Sequence, residues 1–308
     1  MRDHFVKRLS QIAAADSRIM LLTADLGFGV LTDFAAKFPK QFLNVGVAEQ
    51  NMTGVATGMA MEGLIVFTYS IGNFPTLRCL EQIRNDAAYH EANVKIVSVG
   101  SGFSYGALGM SHHATEDISI LRAIPGITIF SPGDLWEAME ATEAAVKTPG
   151  PCYLRLDKSA AGSNEAPNEK FGVGEPRLRR HGNDIAIITT GGIVEEALKA
   201  ADTLATEKIQ ARVLSIHTIR PLRPDAILAA ARQTRGIITL EEHTVEGGLG
   251  GLVAETLLEH GAAPRRFKRM GLRDGFSSIV GSQAYLRARY ELDAPAIVQA
   301  ALAMVGAS

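Results

Sequence analysis

Asn44-Val45-Gly46-Val47-Ala48-Glu49-Gln50-Asn51 joins two kinds of segment. Phe42-Leu43-Asn44-Val45 reads as a short strand. Ala48 to Met61, rich in Ala, Gly and Met, reads as a helix that can pack closely. Glu49 therefore falls where a helix begins, just past the end of a strand. One reading of such a residue is a carboxylate matched to the positive end of the helix dipole. Another is a ligand-binding group, because ligands of open α/β sheets bind outside the carboxyl ends of the strands.

The same alternation runs outward in both directions. Ile19 to Thr23 is a buried strand ending at Ala24-Asp25-Leu26-Gly27, and a helix starts near Leu31, where Phe34, Ala35 and Phe38 share a face. Strands follow at Leu64 to Tyr69, Val94 to Val99, Ile127 to Phe130 and Cys152 to Leu156. Helices fall at Pro75 to Tyr89, Thr115 to Ala123 and Asp134 to Val146, with a glycine-rich loop from Gly100 to Gly109. Between Ala160 and Arg180 the periodicity fades into Gly, Ser, Asn, Pro and scattered charge, the signature of a linker. Alternation resumes with strands at Ile185 to Thr189, Ala211 to Ser215 and Gly236 to Leu240, and helices at Gly192 to Thr206, Pro224 to Arg232 and Gly248 to Glu259. The fold class is α/β: two open-sheet domains, 1–160 and 182–308, joined by a linker over 161–181.

Composition narrows the function classes. The 308 residues carry 31 Lys and Arg against 33 Asp and Glu, a formal charge of -2, so nothing calls for nucleic acid or an anionic membrane surface. Two cysteines cannot build a disulfide framework or a metal cluster. Met1 to Asp16 mixes charges with apolar residues at helical spacing, unlike a signal peptide. No run of about 18 apolar residues suggests a membrane span. The expectation is a soluble, cytoplasmic protein.

Asn44 to Met61, preceded by Thr23-Ala24-Asp25-Leu26 and followed by Glu81-Gln82-Ile83-Arg84-Asn85, Ser111-His112-His113 and Arg122-Ala123-Ile124-Pro125-Gly126, resembles the pyrimidine-binding domain of transketolases and deoxyxylulose-phosphate synthases. The resemblance continues through His217-Thr218-Ile219-Arg220-Pro221-Leu222 and Glu241-Glu242-His243, in the C-terminal domain of the same family. It implies thiamine diphosphate as cofactor. It places Glu49 against a ring nitrogen of the aminopyrimidine, where a carboxyl group facing an apolar ring can share a proton and so switch the cofactor into its carbanion chemistry. It implies that Phe74 stacks on that ring, that Ile71 lines a second pocket position, that Arg78 lies nearby, and that Asp25 belongs to the cofactor site. His112 matches a histidine near the thiazolium and substrate, able to move protons near neutral pH. His113 replaces a usual glutamine, and its role stays open; either histidine could instead cap the helix near Thr115. Plain readings remain beside these: Phe74 and Ile71 as core residues, Arg78 as a solvated charge.

Four departures from the family bear on substrate. Leu108 replaces an aspartate that reads a donor hydroxyl, and Gly100 aligns with a substrate-facing histidine. Lys158 aligns with a phosphate-binding arginine, keeping the charge but losing the bidentate fork, and Gly29 aligns with a phosphate-contacting serine. Together they suggest a less hydroxylated donor or an unphosphorylated acceptor.

The family's diphosphate site carries Gly-Asp-Gly and a later Asn, which hold the phosphates and a divalent cation. No Gly-Asp-Gly occurs here; Arg273-Asp274-Gly275 is the nearest approach. The resemblance therefore implies half of a split enzyme. A separate diphosphate-binding subunit holds Mg2+ or Ca2+, and the chains assemble as α2β2 with cofactor between them. The implied reaction moves a two-carbon ketol or acyl unit from a ketone-type donor to an aldehyde acceptor. The alternatives are the β subunit of a 2-oxoacid dehydrogenase and a non-catalytic scaffold. Glu241-Glu242-His243 and Gly247-Gly248-Leu249-Gly250-Gly251 form a strand end running into a helix start, read as packing rather than as an anion site.

Overall fold

The computed structural model describes residues 1–158, 169–273 and 275–306. Helix α1 (Arg2–Ala15) lays Phe5, Leu9 and Ala13, spaced by four, into the core. Strand β1 (Ile19–Thr23), helix α2 (Thr32–Lys37), strand β2 (Phe42–Asn44), helix α3 (Glu49–Met61) and strand β3 (Ile65–Ile71) follow. A composite helix spans Leu77 to Ala88: a 3-10 turn at Leu77–Cys79, α4 at Leu80–Gln82, and wide π-turns over Ile83–Ala88. Next come β4 (Val94–Val99), α5 (Asp117–Arg122), β5 (Thr128–Phe130), α6 (Leu135–Lys147) and β6 (Cys152–Leu156). Every residue of β1, β4 and β6 is buried, which is why these strands are mostly apolar rather than alternating, the buried Lys95 and Arg155 being satisfied by carbonyl and carboxylate partners.

The second half contains β7 (Arg177–Arg180), β8 (Ile185–Thr189), α7 (Val194–Thr206), β9 (Ala211–Ser215), β10 (Thr218–Arg220), α8 (Asp225–Gln233), β11 (Ile237–Thr244), α9 (Leu249–Glu259), β12 (Phe267–Leu272), α10 (Gln283–Arg289) and α11 (Ala294–Gly306). Two sheets result. One has the order β10-β5-β6-β4-β3-β1-β2 and the other β12-β11-β8-β9-β7. All pairings are parallel except β10 with β5 and β7 with β9. No described helix is long and apolar enough to cross a membrane.

Two features correct the sequence-based layout. The linker over 161–181 ends too late: Arg177–Arg180 is a strand, antiparallel to β9. Its arginines hid it. Arg177 and Arg179 are held by the buried acids Asp134 and Glu137, with Arg177 Nη1 2.7 Å from Asp134 and Arg179 Nη1 2.8 Å from the same carboxylate. Residues 159–168 of that linker lie outside the described residues. The boundary at 182 is also crossed, because β10 extends the first sheet by pairing with β5. Three residues are too few to show a period.

Buried polar groups tie the halves together. Arg155 on β6 donates from Nε to Asp117 (2.7 Å) and from Nη2 to the carbonyls of Ala114 and Glu242. Tyr153 donates its hydroxyl to the same aspartate at 2.6 Å. His243 Nε2 accepts the amides of Ile118 and Ser119 at the start of α5. Charge buried this deeply persists only when paired and hydrogen-bonded.

Candidate active site

The turn between β2 and α3 is built by one side chain. Asn44 Oδ1 accepts the amides of Asp25 (2.9 Å) and Gly46 (3.1 Å), while its Nδ2 donates to Asp25 Oδ1 at 3.2 Å. Gly46 takes φ +77°, a left-handed conformation that glycine adopts without penalty. The chain then enters α3 with Glu49 as its first residue. Glu49 is 3% exposed, and its Oε2 accepts a hydrogen bond from Arg78 Nη1 at 2.8 Å. Gln50 Nε2 donates to the carbonyl of Arg78 at 3.0 Å, so α3 also fixes the backbone that presents the arginine.

From Glu49 the contacts run on without a break. The Arg78 guanidinium sits 4.4 Å from the centre of the Phe74 ring. Phe74 meets His112 edge-on, with centroids 5.2 Å apart. His112 lies 6.4 Å from the Tyr105 ring, and Lys158 Nζ lies 4.4 Å from that ring's centre. Burial, with a smaller contribution from the neighbouring His113, lowers the His112 pKa below its usual value. Phe74 and Ile71 are half-buried at the carboxyl end of β3, with the Phe74 amide donating to the Ile71 carbonyl. The ensemble is a buried acid beside a partly open apolar wall, with a histidine at the far edge.

Other residues go elsewhere. Asp25, at φ 54°, is spent on Asn44 rather than on the Glu49 cluster. His113 is fully buried: its Nδ1 lies 2.7 Å from Ser277 Oγ and its Nε2 3.2 Å from the Gly106 carbonyl. Neither histidine caps α5, whose leading amides go to His243. Leu108 is 56% exposed, on the rim. Gly29 stands in open space. Tyr105 belongs to no motif legible in the sequence, yet its ring fills the room a side chain at Gly100 would need: a Cβ there would sit 2.2 Å from Tyr105 Cδ2. Only the tertiary approach of Tyr105 to Gly100 reveals it.

Apolar side chains surround this cluster in sequence and stand in solvent: Phe28 is 80% and Val47 76% exposed, with Leu77 and Met110 also exposed.

Comparisons with known proteins agree with this layout. Residues 1–163 match the family model described as transketolase, pyrimidine binding domain, and 174–297 that described as transketolase, C-terminal domain. A 6-deoxy-6-sulfo-D-fructose transketolase subunit from Clostridium sp. (strain MSTE9) is 39% identical over 98% of this chain and 93% of its own length. An apulose-4-phosphate transketolase subunit from Phocaeicola vulgatus is 37% identical over 99% and 97%. Among solved structures, a split gene transketolase described as an inactive beta4 tetramer superposes with a TM-score of 0.87 at 33% identity, covering 99% of this chain and 97% of that one. With a buried glutamate leading α3, an aromatic wall behind it, and both family domains in order along it, this chain belongs to the transketolase family, as the C-terminal section of a split transketolase.

Proposed function

We propose that this chain is the pyrimidine-binding subunit of a thiamine diphosphate-dependent enzyme that transfers a two-carbon ketol or acyl unit from a ketone-type donor to an aldehyde acceptor. The observation that carries the reading is Glu49: an acid 3% exposed, linked through the Arg78 guanidinium to the half-buried Phe74 ring, with Ile71 at the end of the same strand. That donor set suits a flat heteroaromatic ring with a protonable nitrogen at its edge. Thiamine diphosphate, when bound, supplies the nucleophilic carbon and the electron sink. Glu49 holds and moves the proton at the ring nitrogen. Phe74 binds the ring face, a contact worth about 1 kcal/mol beyond area burial. Ile71 excludes water beside it. His112, whose burial disfavours its charged form, takes and returns the proton of a substrate hydroxyl.

Lys158, beside Tyr105, offers a positive charge at the outer end of the line. The two named relatives act on a sulfonated and a phosphorylated sugar by their names, and an anionic substrate terminus is the chemistry Lys158 would attract. Leu108 in place of an acid removes one hydroxyl reader, in keeping with a deoxy or otherwise altered sugar. A separate diphosphate-binding subunit would supply the Mg2+ or Ca2+, dock on the exposed Phe28, Val47, Leu77 and Met110, and complete an α2β2 assembly, a cytoplasmic enzyme. Asp274, in the nearest approach to the metal motif, lies outside the described residues.

The test is Glu49→Gln in the chain assembled with a diphosphate-binding subunit, assayed with hydroxypyruvate as donor and glycolaldehyde as acceptor. The expected kcat falls by at least about a hundredfold with an unchanged melting midpoint. A variant that keeps its rate within about threefold overturns the role of Glu49.

A further inference from the structure

The loop that carries Tyr105, Leu108 and His112 is not held by its own domain alone. Glu242, at the carboxyl end of β11, accepts the Phe103 amide on Oε1, and Gln283 Nε2 donates to the same oxygen at 2.9 Å. Arg287 Nε donates to Glu242 Oε2 at 2.6 Å. Gln283 also reaches Asp157 at 3.2 Å, and Asp157 accepts the Ser104 hydroxyl at 3.0 Å. The Phe103 ring stacks on Tyr290 with centroids 5.3 Å apart. A Cβ at Gly102 would sit 2.6 Å from Glu242, and one at Gly106 2.5 Å from the Gly281 carbonyl, so the loop is moulded onto residues of the second half at van der Waals distance.

The last link is His113. Its Nε2 faces the Gly106 carbonyl, which can only accept, so Nε2 donates there, and Nδ1 shares a hydrogen bond with the Ser277 hydroxyl. The carbonyl of His113 accepts Asn73 Nδ2 at 2.8 Å, from the loop that presents Phe74. Ser277, His113 and Asn73 thus form one rod from the second half to the aromatic wall, with His112 one residue away. Ser277 is buried, and its hydroxyl is engaged with His113.

We infer that Ser277, acting through His113, is a positioning residue: the second half of the chain sets where His112 stands against Phe74. This rests on the reading of His112 as a proton carrier, but its structural part does not. A group displaced by about 1 Å loses roughly a hundredfold in rate while substrate binding elsewhere persists.

The test compares Ser277→Ala and Ser277→Thr in the assembled enzyme with hydroxypyruvate and glycolaldehyde, alongside hydrogen exchange of the loop. The amides of His112, His113 and Ala114 are hydrogen-bonded to Gly109 and Gly102 carbonyls and so report on the loop without any turnover. Ser277→Ala is expected to speed their exchange at least about tenfold, and to lower kcat tenfold to a hundredfold with KM within about threefold. Ser277→Thr keeps the hydroxyl and should restore both. Unchanged exchange, or faster exchange with unchanged kcat, overturns the inference. So does an equal loss in the alanine and threonine variants, which would signal damage to packing. Glu49→Gln is the control that separates the two readings: it should abolish turnover and leave loop exchange as it is. If Glu49→Gln stays active, the catalytic reading fails, and the exchange data still decide whether Ser277 holds the loop.

Discussion

Arg78 stands in the space that a ring stacked on Phe74 and reaching Glu49 would have to share. It touches both, at 4.4 Å and 2.8 Å. Its side chain is 45% exposed, so it can swing outward at little cost. The buried Glu49 still needs a partner when Arg78 leaves, and a protonable ring nitrogen can take that place. Arg78→Met removes that competitor, and calorimetric titration of the assembled enzyme should show the apparent Kd for thiamine diphosphate falling by up to about fivefold. A rise in Kd would make Arg78 a direct contact instead. At this scale the sequence was readable where a motif fixes a backbone position: Glu49, Phe74, Arg78 and His112 do converge. It was silent where a role depends on tertiary placement. Nothing local says that Tyr105 fills the space over Gly100, or that His113 turns inward to Ser277 while His112 faces Phe74.

Helix α5 shows how an element can set a pH response. Its six residues are too few to be stable alone, and its leading amides are satisfied by a histidine 125 positions away, His243. That histidine must stay neutral to accept them. Burial lowers its pKa to about 4, and burial lowers His217 to about 4 as well. Glu241, next to the α9 amides of Leu249 and Gly250, is pushed the other way by burial, to about 7. The signs follow from linkage. A histidine with a depressed folded pKa gives stability that is present above its unfolded value of about 6.5 and is lost as pH falls toward 4. A carboxylic acid with a raised folded pKa gives stability that is present below about 4.5 and is lost as pH rises through 7. Between pH 6.5 and 4.5 each of these two histidines lowers stability as pH falls, while Glu241 acts in the opposite sense. His243→Gln keeps an acceptor for α5 but cannot titrate. Its urea-unfolding free energy should lose about one proton of slope in that window, close to 1.4 kcal/mol per pH unit. An identical slope in the parent and variant would place the His243 pKa elsewhere. The longer strands were legible because burial on both faces makes them mostly apolar, with no regular polar alternation. Two short strands, β7 and β10, were not: one is masked by arginines that pair with buried acids, the other is only three residues long.

Across the whole molecule, β10 makes the two halves one folding unit. Without it, β5 becomes the open edge of the first sheet, presenting the unpaired backbone of Thr128–Phe130. The same cut removes Ile216 and Ile219 from the core cluster that also contains Ile127 and Ile129. It takes away the Glu242 carbonyl that accepts from the fully buried Arg155, and the His243 ring that satisfies two α5 amides. Each stranded buried donor costs about 1–3 kcal/mol, and more where it is charged. Arg155 Nη2 keeps the Ala114 carbonyl, but the two α5 amides, the open sheet edge and the lost isoleucine packing together take a large share of the 5–15 kcal/mol by which a domain is stable. Residues 1–160 expressed alone are therefore expected to aggregate or to melt without a cooperative transition. Supplying residues 169–308 as a second chain should restore a soluble complex, because β10, Glu242 and His243 all return with it. Sedimentation and thermal melting of the fragment, alone and mixed, decide the matter. A monomeric fragment that unfolds cooperatively within about 10 °C of the full chain would show that the first sheet does not depend on its borrowed strand.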